Sequence, residues 1–417
     1  MPRGCEDRSL HAQRWVVVHA GARDRYQIPL AFHEQSALAA FVTDWYSRLD
    51  KAPLKSLASL LPEKQQEQLA RRYTPVLGPE TVFDSKFTWA RYALGRRLRC
   101  SWAHWRNSNR ALGERAGDAA TRLGANILST SYYAADAFRH YQYPGRRVLF
   151  QVHPSPLFLR DLYQRFLRHG GLFEGLTAES EMNATGEELE RWQDEARMAD
   201  TVAVASAFTA KSVQGVKRSG VATFVIPYGI ECEAYRPRPP AKARTAPTVL
   251  FVGSKVARKG LHLLLKAWRE LAPRSSKLRI AGCGETDHRI LDEFKGTAEI
   301  LPRLTGAELA REYRDADLFV LPSLAEGFGH VYLEALASGT PIVGTENTAV
   351  PDLLQEGDCG YIVKAGDVSS LANCLENALN HPRSLQDMRA EARRVAEAHT
   401  WQRFRQELYA AAGAQQC

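Results

Sequence analysis

The sequence predicts an α/β protein of two domains, each a doubly wound parallel sheet, facing one another across a cleft. Three observations carry that expectation. Short apolar runs alternate with stretches of 3.6-residue period along most of the chain. One segment, 236–247 (RPRPPAKARTAP), breaks the alternation with Pro, Ala and charge and has no apolar period of its own. At 417 residues the chain is too long for one ordinary domain, and two of roughly 200 residues is the natural division.

The second half is the more regular. Its apolar runs are 248–253 (TVLFVG), 278–282 (LRIAG), 298–301 (AEIL), 318–322 (LFVLP), 341–344 (PIVG) and 361–363 (YIV). Helical periods lie between them, for example Leu261, Leu264, Leu265, Trp268 and Leu271. Strands apolar on both faces and separated by helices need parallel crossovers, which is a Rossmann-like arrangement. In the first half the strand candidates are 15–19 (WVVVH), 38–43, 127–131, 148–152, 201–205 and 222–227, with an amphipathic helix from about Tyr26. Residues 50–120 read as a helix-rich insertion into that first sheet. The division expected is therefore 1–236, a linker at 237–247, and 248–400, with 401–417 as a terminal helix.

Composition is that of a globular protein, with 45% apolar and 24% charged residues. No run approaches the roughly 20 apolar residues that cross a bilayer, and the first fifteen residues contain no apolar core of a signal peptide. Seven scattered cysteines without a CxxC pair exclude a disulfide framework or zinc cluster and indicate a reducing cytoplasm. The formal charge of +8 invites a polyanionic partner. Much of the excess sits in 85–115, where eight Lys/Arg meet one acid, Glu114, among Phe87, Trp89, Tyr92, Trp102 and Trp105. That segment fits either an anionic membrane surface, on the inner face of the cell membrane, or a solvated helix whose aromatics enter the core. No nucleic-acid motif is present.

The chemistry concentrates in 322–336 (PSLAEGFGHVYLEAL). A strand ends at Pro322, a loop carries Glu326, Gly327, Phe328 and Gly329, and a helix starts near His330. Ligands of open α/β sheets sit at the carboxyl ends of strands, where helix amides and glycines make a phosphate cradle. Glu334, eight positions after Glu326, suits a ribose diol, or both are ordinary acids at a helix N-terminus, where negative charge is favoured. The loop 252–260 (VGSKVARKG) puts Lys255, Arg258 and Lys259 at the same sheet edge, where an anion would neutralise them. The turn 281–285 (AGCGE) fails as a dinucleotide fingerprint because Asp287 stands where Gly is needed. Asp315 and Asp317 imitate a DxD metal motif but lie where a helix hands over to a strand, so no metal is assigned. His153 ends the strand VLFQV and faces the expected cleft, where it fits either a structural role or a hydrogen bond to a sugar or phosphate.

Together these residues resemble the retaining GT-B glycosyltransferases of family 4, whose hallmark is two glutamates separated by seven residues. Glu326 and Glu334 have that spacing in an EGFG…EALA setting, and the resemblance extends through 195–206 (EARMADTVAVAS), 225–230 (VIPYGI, with Tyr228 where Asn is usual), Trp401 and Phe404. It implies a nucleotide diphosphate sugar donor, a glycan or lipid-linked acceptor in cell-envelope or exopolysaccharide synthesis, no cofactor and no metal. It implies that Lys259 holds the donor diphosphate, Glu334 the ribose, and Glu326 the donor sugar, beside the amides of Phe328, Gly329 and His330. His153 matches the first-domain histidine near the reacting sugar, Gly21 the loop beneath it, and the terminal helix crosses back to the first domain. The chain departs from the family at Ser254, where Arg is usual; Lys255 or Arg258 is then the replacement charge. The readings that compete are a nucleotide-sugar epimerase or phosphorylase on the same scaffold, though no pyridoxal-phosphate lysine signature appears, and an inactive sugar-nucleotide-binding scaffold.

Overall fold

The computed structural model describes residues 14–22, 24–47, 59–61, 63–78, 80–84, 101–239, 246–271, 275–283, 294, 297–355 and 357–414. They form two all-parallel sheets. The first contains β1 (Trp15–Val18), β2 (Leu38–Thr43), β3 (Val82–Asp84), β4 (Asn126–Thr130), β5 (Arg147–Gln151), β6 (Thr201–Val204) and β7 (Ala222–Val225), in the order β3-β2-β1-β4-β5-β6-β7. The second contains β8 (Thr248–Val252), β9 (Lys277–Ala281), β10 (Ala298–Ile300), β11 (Leu318–Val320), β12 (Ile342–Thr345) and β13 (Gly360–Val363), in the order β10-β9-β8-β11-β12-β13. Each order reverses once, at β1/β4 and at β8/β11, and such reversals open the crevices where ligands bind.

Burial explains why these runs become strands. All four residues of β1 are buried, as are those of β6 and β12, so their apolar side chains lose water on both faces. At the edge β7 is only partly covered, with Val225 exposed. Two helices start with reciprocal Thr–Glu caps, Thr185 with Glu188 and Thr305 with Glu308.

The region 50–120, expected to be a helix-rich insertion, includes the helix Glu63–Ala70 among its described residues. It supplies the edge strand β3 and the helix Ser101–Leu123, which leads into β4 and lays Leu112, Ala116, Ala119 and Ala120 against the first sheet. That helix is integral to the domain because its apolar face is buried on the sheet. Arg106 and Arg110 on that helix are committed to Glu188 and Glu114, at 3.2 and 2.9 Å. Lys86, Arg91, Arg96, Arg97 and Arg99 lie outside the described residues, as do 240–245 of the linker and 284–287 after β9. Among the described residues, no helix is long and apolar enough to cross a membrane.

The helix Trp401–Gly413 packs on the first domain although it follows the second in sequence. Phe404 meets Phe150 and Tyr228, Tyr409 meets Phe32, and Arg405 pairs with Glu34 at 2.8 Å. Asp317 has a structural job, accepting from Arg238 and from the Thr248 amide, both at 2.9 Å, while Asp315 pairs with its neighbour Arg314.

Candidate active site

Two loops leave the second sheet side by side at its β8/β11 reversal, and local chemistry locks them together. The Leu324 amide donates to the Arg258 carbonyl at 2.7 Å. Gly260 has φ +73°, and a Cβ there would stand 2.1 Å from the Pro322 carbonyl oxygen, so only glycine lets the loops touch. The 3-10 turn Ala257–Lys259 is thereby fixed against the loop 321–329. Its two cations then reach one oxygen of Glu326: Arg258 Nη1 and Lys259 Nζ each lie 2.6 Å from Oε1.

Glu326 is buried. Burial alone would raise its pKa, but Arg258 and Lys259, with a smaller contribution from His153, outweigh it and hold the carboxyl below the ordinary range. It is a permanent carboxylate at neutral pH.

The first domain closes over this point. Gly327 passes so near β5's exit that a Cβ would be 2.2 Å from the Val152 carbonyl oxygen. The Gly327 carbonyl accepts from the hydroxyls of Ser206 (2.5 Å) and Thr209 (3.0 Å), and Asp352 accepts from the Ala207 amide at 2.8 Å. A cavity of about 160 Å³ remains between the domains, walled by His153, Tyr132, Tyr163, Glu181, Arg258 and Glu326 among others. Ligand pockets usually measure roughly 300–1,000 Å³, so this space suits one part of a larger ligand.

Of the residues singled out in the sequence, the structure brings together Glu326, Arg258, Lys259, Gly327 and His153. The others stand apart from the cavity wall. Phe328 is buried against Tyr228, and His330 stacks on the same Tyr228 ring at 4.5 Å, so these two build an aromatic joint with Trp401 and Phe404. Gly329, at φ +89°, opens the helix His330–Ala337. On that helix Glu334 accepts a 2.8 Å bond from the Tyr313 hydroxyl; burial raises its pKa, and Tyr313 and Tyr235 partly offset the rise. Ser254 and Lys255 are exposed at the end of β8. Gly21, at φ +83°, donates its amide to Asp44 at 3.0 Å in the loop after β1. Among the described residues, no cluster of His, Cys, Asp and Glu could hold a metal ion.

Residues 246–381 match the family described as glycosyl transferases group 1. The chain is 30% identical over 224 residues to the GDP-mannose-dependent alpha-(1-6)-phosphatidylinositol monomannoside mannosyltransferase of Mycolicibacterium smegmatis, covering 48% of this chain and 57% of that protein. It is also 30% identical over 174 residues to the sulfoquinovosyl transferase of Arabidopsis thaliana, covering 40% and 34%. The chain thus spans about a third to a little over half the length of these curated relatives. Among solved structures it is similar to the sucrose-phosphate synthase of Thermosynechococcus elongatus, with TM-score 0.64 and 16% identity over 94% of this chain and 96% of that one. It is likewise similar to HepE of Anabaena in complex with UDP, with TM-score 0.62 and 14% identity over 94% and 97%. The fold is GT-B.

Within this GT-B frame, the cavity residues that sequence reasoning missed include Tyr132, Tyr163, Glu179 and Glu181. Tyr132 had a signal, since it follows β4 as His153 follows β5. It is a non-glycine residue at φ +78°, held there by packing edge-on against Trp192 and by the buried Glu195, whose carboxyl accepts from the Tyr132 and Ala135 amides. Burial drives the Glu195 pKa up to about 8, against the lowering effect of those amides and Arg191. Between the ordinary carboxylate range and about 8 the folded protein keeps a proton that the unfolded chain gives up, so stability falls as pH rises through that window. Thermal melts between about pH 5 and pH 8 are expected to show the wild type losing stability more steeply than Glu195→Gln; parallel curves would show that Glu195 is ionised throughout.

Proposed function

We propose that the chain transfers a sugar from a nucleoside diphosphate sugar to an acceptor hydroxyl, with the donor in the second domain. The observation that carries this reading is the pairing of Glu326 with both Arg258 and Lys259 at the β8/β11 crevice, inside the part that matches group 1 glycosyl transferases. Breaking the bond between the anomeric carbon and the phosphate leaves its electron pair on the diphosphate. Lys259 and Arg258 neutralise that charge in a site from which closure excludes water, where fixed charges act most strongly. Glu326 then hydrogen-bonds the donor sugar, and His153 approaches it from the other domain. Names of similar proteins support a nucleotide sugar, since one is GDP-mannose-dependent and another was solved with UDP.

The finer reading is that of a retaining enzyme acting without metal on a cell-envelope glycan or lipid-linked acceptor, in the cytoplasm. Proton NMR of the first-formed product anomer tests retention: an α-linked donor should give an α product. Contact with anionic lipid through 85–115 rests on the charge of that segment. Sedimentation with anionic but not neutral vesicles is the expected result, and equal behaviour with both would discard it.

Glu334 is proposed to take the ribose hydroxyls, turning from Tyr313 to do so. Glu334→Ala should weaken nucleoside diphosphate binding by roughly 1.5–3 kcal/mol, the worth of a hydrogen bond to a charged group. Calorimetric titration measures it, and an unchanged dissociation constant would leave Glu334 as a partner of Tyr313 alone.

A further inference from the structure

The donor site proposed above is seated on a piece of the other domain. The 3-10 segment Gly171–Ala178 of the first domain lies on the turn Ala257–Lys259: a Cβ at Gly175 would be 2.9 Å from the Ala257 Cβ, and Phe173 stands edge-on to His262 at 6.3 Å. Just beyond this segment comes Glu179. Its carboxylate takes the Arg258 amide at 3.4 Å through one oxygen and Arg258 Nε at 3.4 Å through the other. Arg258 therefore bridges the domains, with its Nε toward Glu179 and its Nη1 on Glu326.

The charge count gives this bridge a consequence. From the second domain alone the site has two cations, Arg258 and Lys259, against one carboxylate, Glu326. The first domain adds two more carboxylates, Glu179 and Glu181, at the same cavity. Closure thus changes the formal balance from net positive to net negative where a diphosphate would have to stay. Glu181 accepts a 3.0 Å bond from the Ser180 hydroxyl and acts on Arg258 through its charge, more weakly than Glu179. Glu179 is the member that competes directly for the guanidinium.

We infer that Glu179 is a positioning residue contributed by the first domain, which aims Arg258 at Glu326 in the closed cleft and weakens the site's hold on the diphosphate product. The inference rests on the donor-site reading. It makes the first domain a participant in product release, since an anion leaves more readily when a carboxylate stands ready to take over its cation. Burial raises the Glu179 pKa while Arg258 opposes the rise, in line with a carboxylate that depends on this one partner.

The test is calorimetric titration of the full chain with UDP, GDP and ADP. Glu179→Gln, which removes the charge and keeps the shape, is expected to bind the diphosphate at least threefold tighter than wild type. Glu179→Asp, which keeps the charge, should stay within twofold of wild type. In an Arg258→Gln background the Glu179→Gln gain should shrink below twofold, a coupling that a merely structural role would not produce. Glu181→Gln carries the charge arm should Glu179→Gln not fold: it must also tighten binding, by a smaller factor. Unchanged or weaker binding in Glu179→Gln, or an equal gain with Arg258 absent, overturns the inference and leaves the donor site standing. Failure of the wild type to bind any of the three diphosphates overturns the donor-site reading and this inference with it.

Discussion

Gly327→Ala is expected to reduce sugar transfer by roughly 100-fold or more while leaving the melting temperature of the two domains nearly unchanged. The added methyl would stand 2.2 Å from the Val152 carbonyl oxygen, and neither backbone can yield locally. Gly327 is held through its carbonyl by Ser206 and Thr209, and the Val152 amide is tied to the Ser131 hydroxyl at 3.3 Å. The cheapest relief is for the domains to part. Parting removes His153 from Glu326 and admits water, and a misplacement of about 1 Å is enough to cost about two orders of magnitude in rate. Steady-state turnover with small-angle scattering checks this. A wild-type rate from Gly327→Ala would show that closure at this point is unnecessary for the chemistry.

Lys259→Ala is expected to lower turnover by about 100-fold or more, with wild-type activity unaffected by EDTA. Lys259 lies 2.6 Å from Glu326 and belongs to a turn fixed by Gly260 against the neighbouring loop, so its ammonium is pre-aimed. Removing it leaves Arg258 as the nearer cation for the diphosphate, and that guanidinium is already divided between Glu326 and Glu179. Activity that collapses on chelation and returns with magnesium or manganese would transfer the charge-stabilising role to a divalent ion.

The parts of this site that are legible in the sequence are those made locally. Glu326 and Lys259 each follow a strongly apolar run, LFVLP and TVLFVG, and a doubly wound sheet brings the ends of such strands to one edge. Runs such as 38–43 and 201–205 coincide with β2 and β6 because burial on both faces leaves an unbroken apolar signature. The edge strand β3 escaped because it is three residues long, with Phe83 exposed, too short for either period to register. Glu179 was not legible for a different reason. Its partner Arg258 is 79 positions away in another domain, and nothing in AESEM announces a bond made only when two sheets close. Glu334 shows a third limit: its spacing from Glu326 is readable, but its engagement by the Tyr313 hydroxyl depends on how two helices pack. Of the two cations near Ser254, Arg258 reaches Glu326 with its guanidinium while Lys255 stays exposed, a difference that depends on how the turn folds and not on spacing.

The central claim is that the second domain takes a nucleoside diphosphate sugar and cleaves it at the sugar–phosphate bond. Incubation of the purified full chain with a panel of UDP-, GDP- and ADP-sugars, without added acceptor, tests it most directly by following nucleoside diphosphate release. The account predicts slow release from one base and sugar, with water standing in for the acceptor, and loss of that release in both Glu326→Gln and Lys259→Ala. Release that is the same in those two variants, or no release and no binding for any member of the panel, would contradict it.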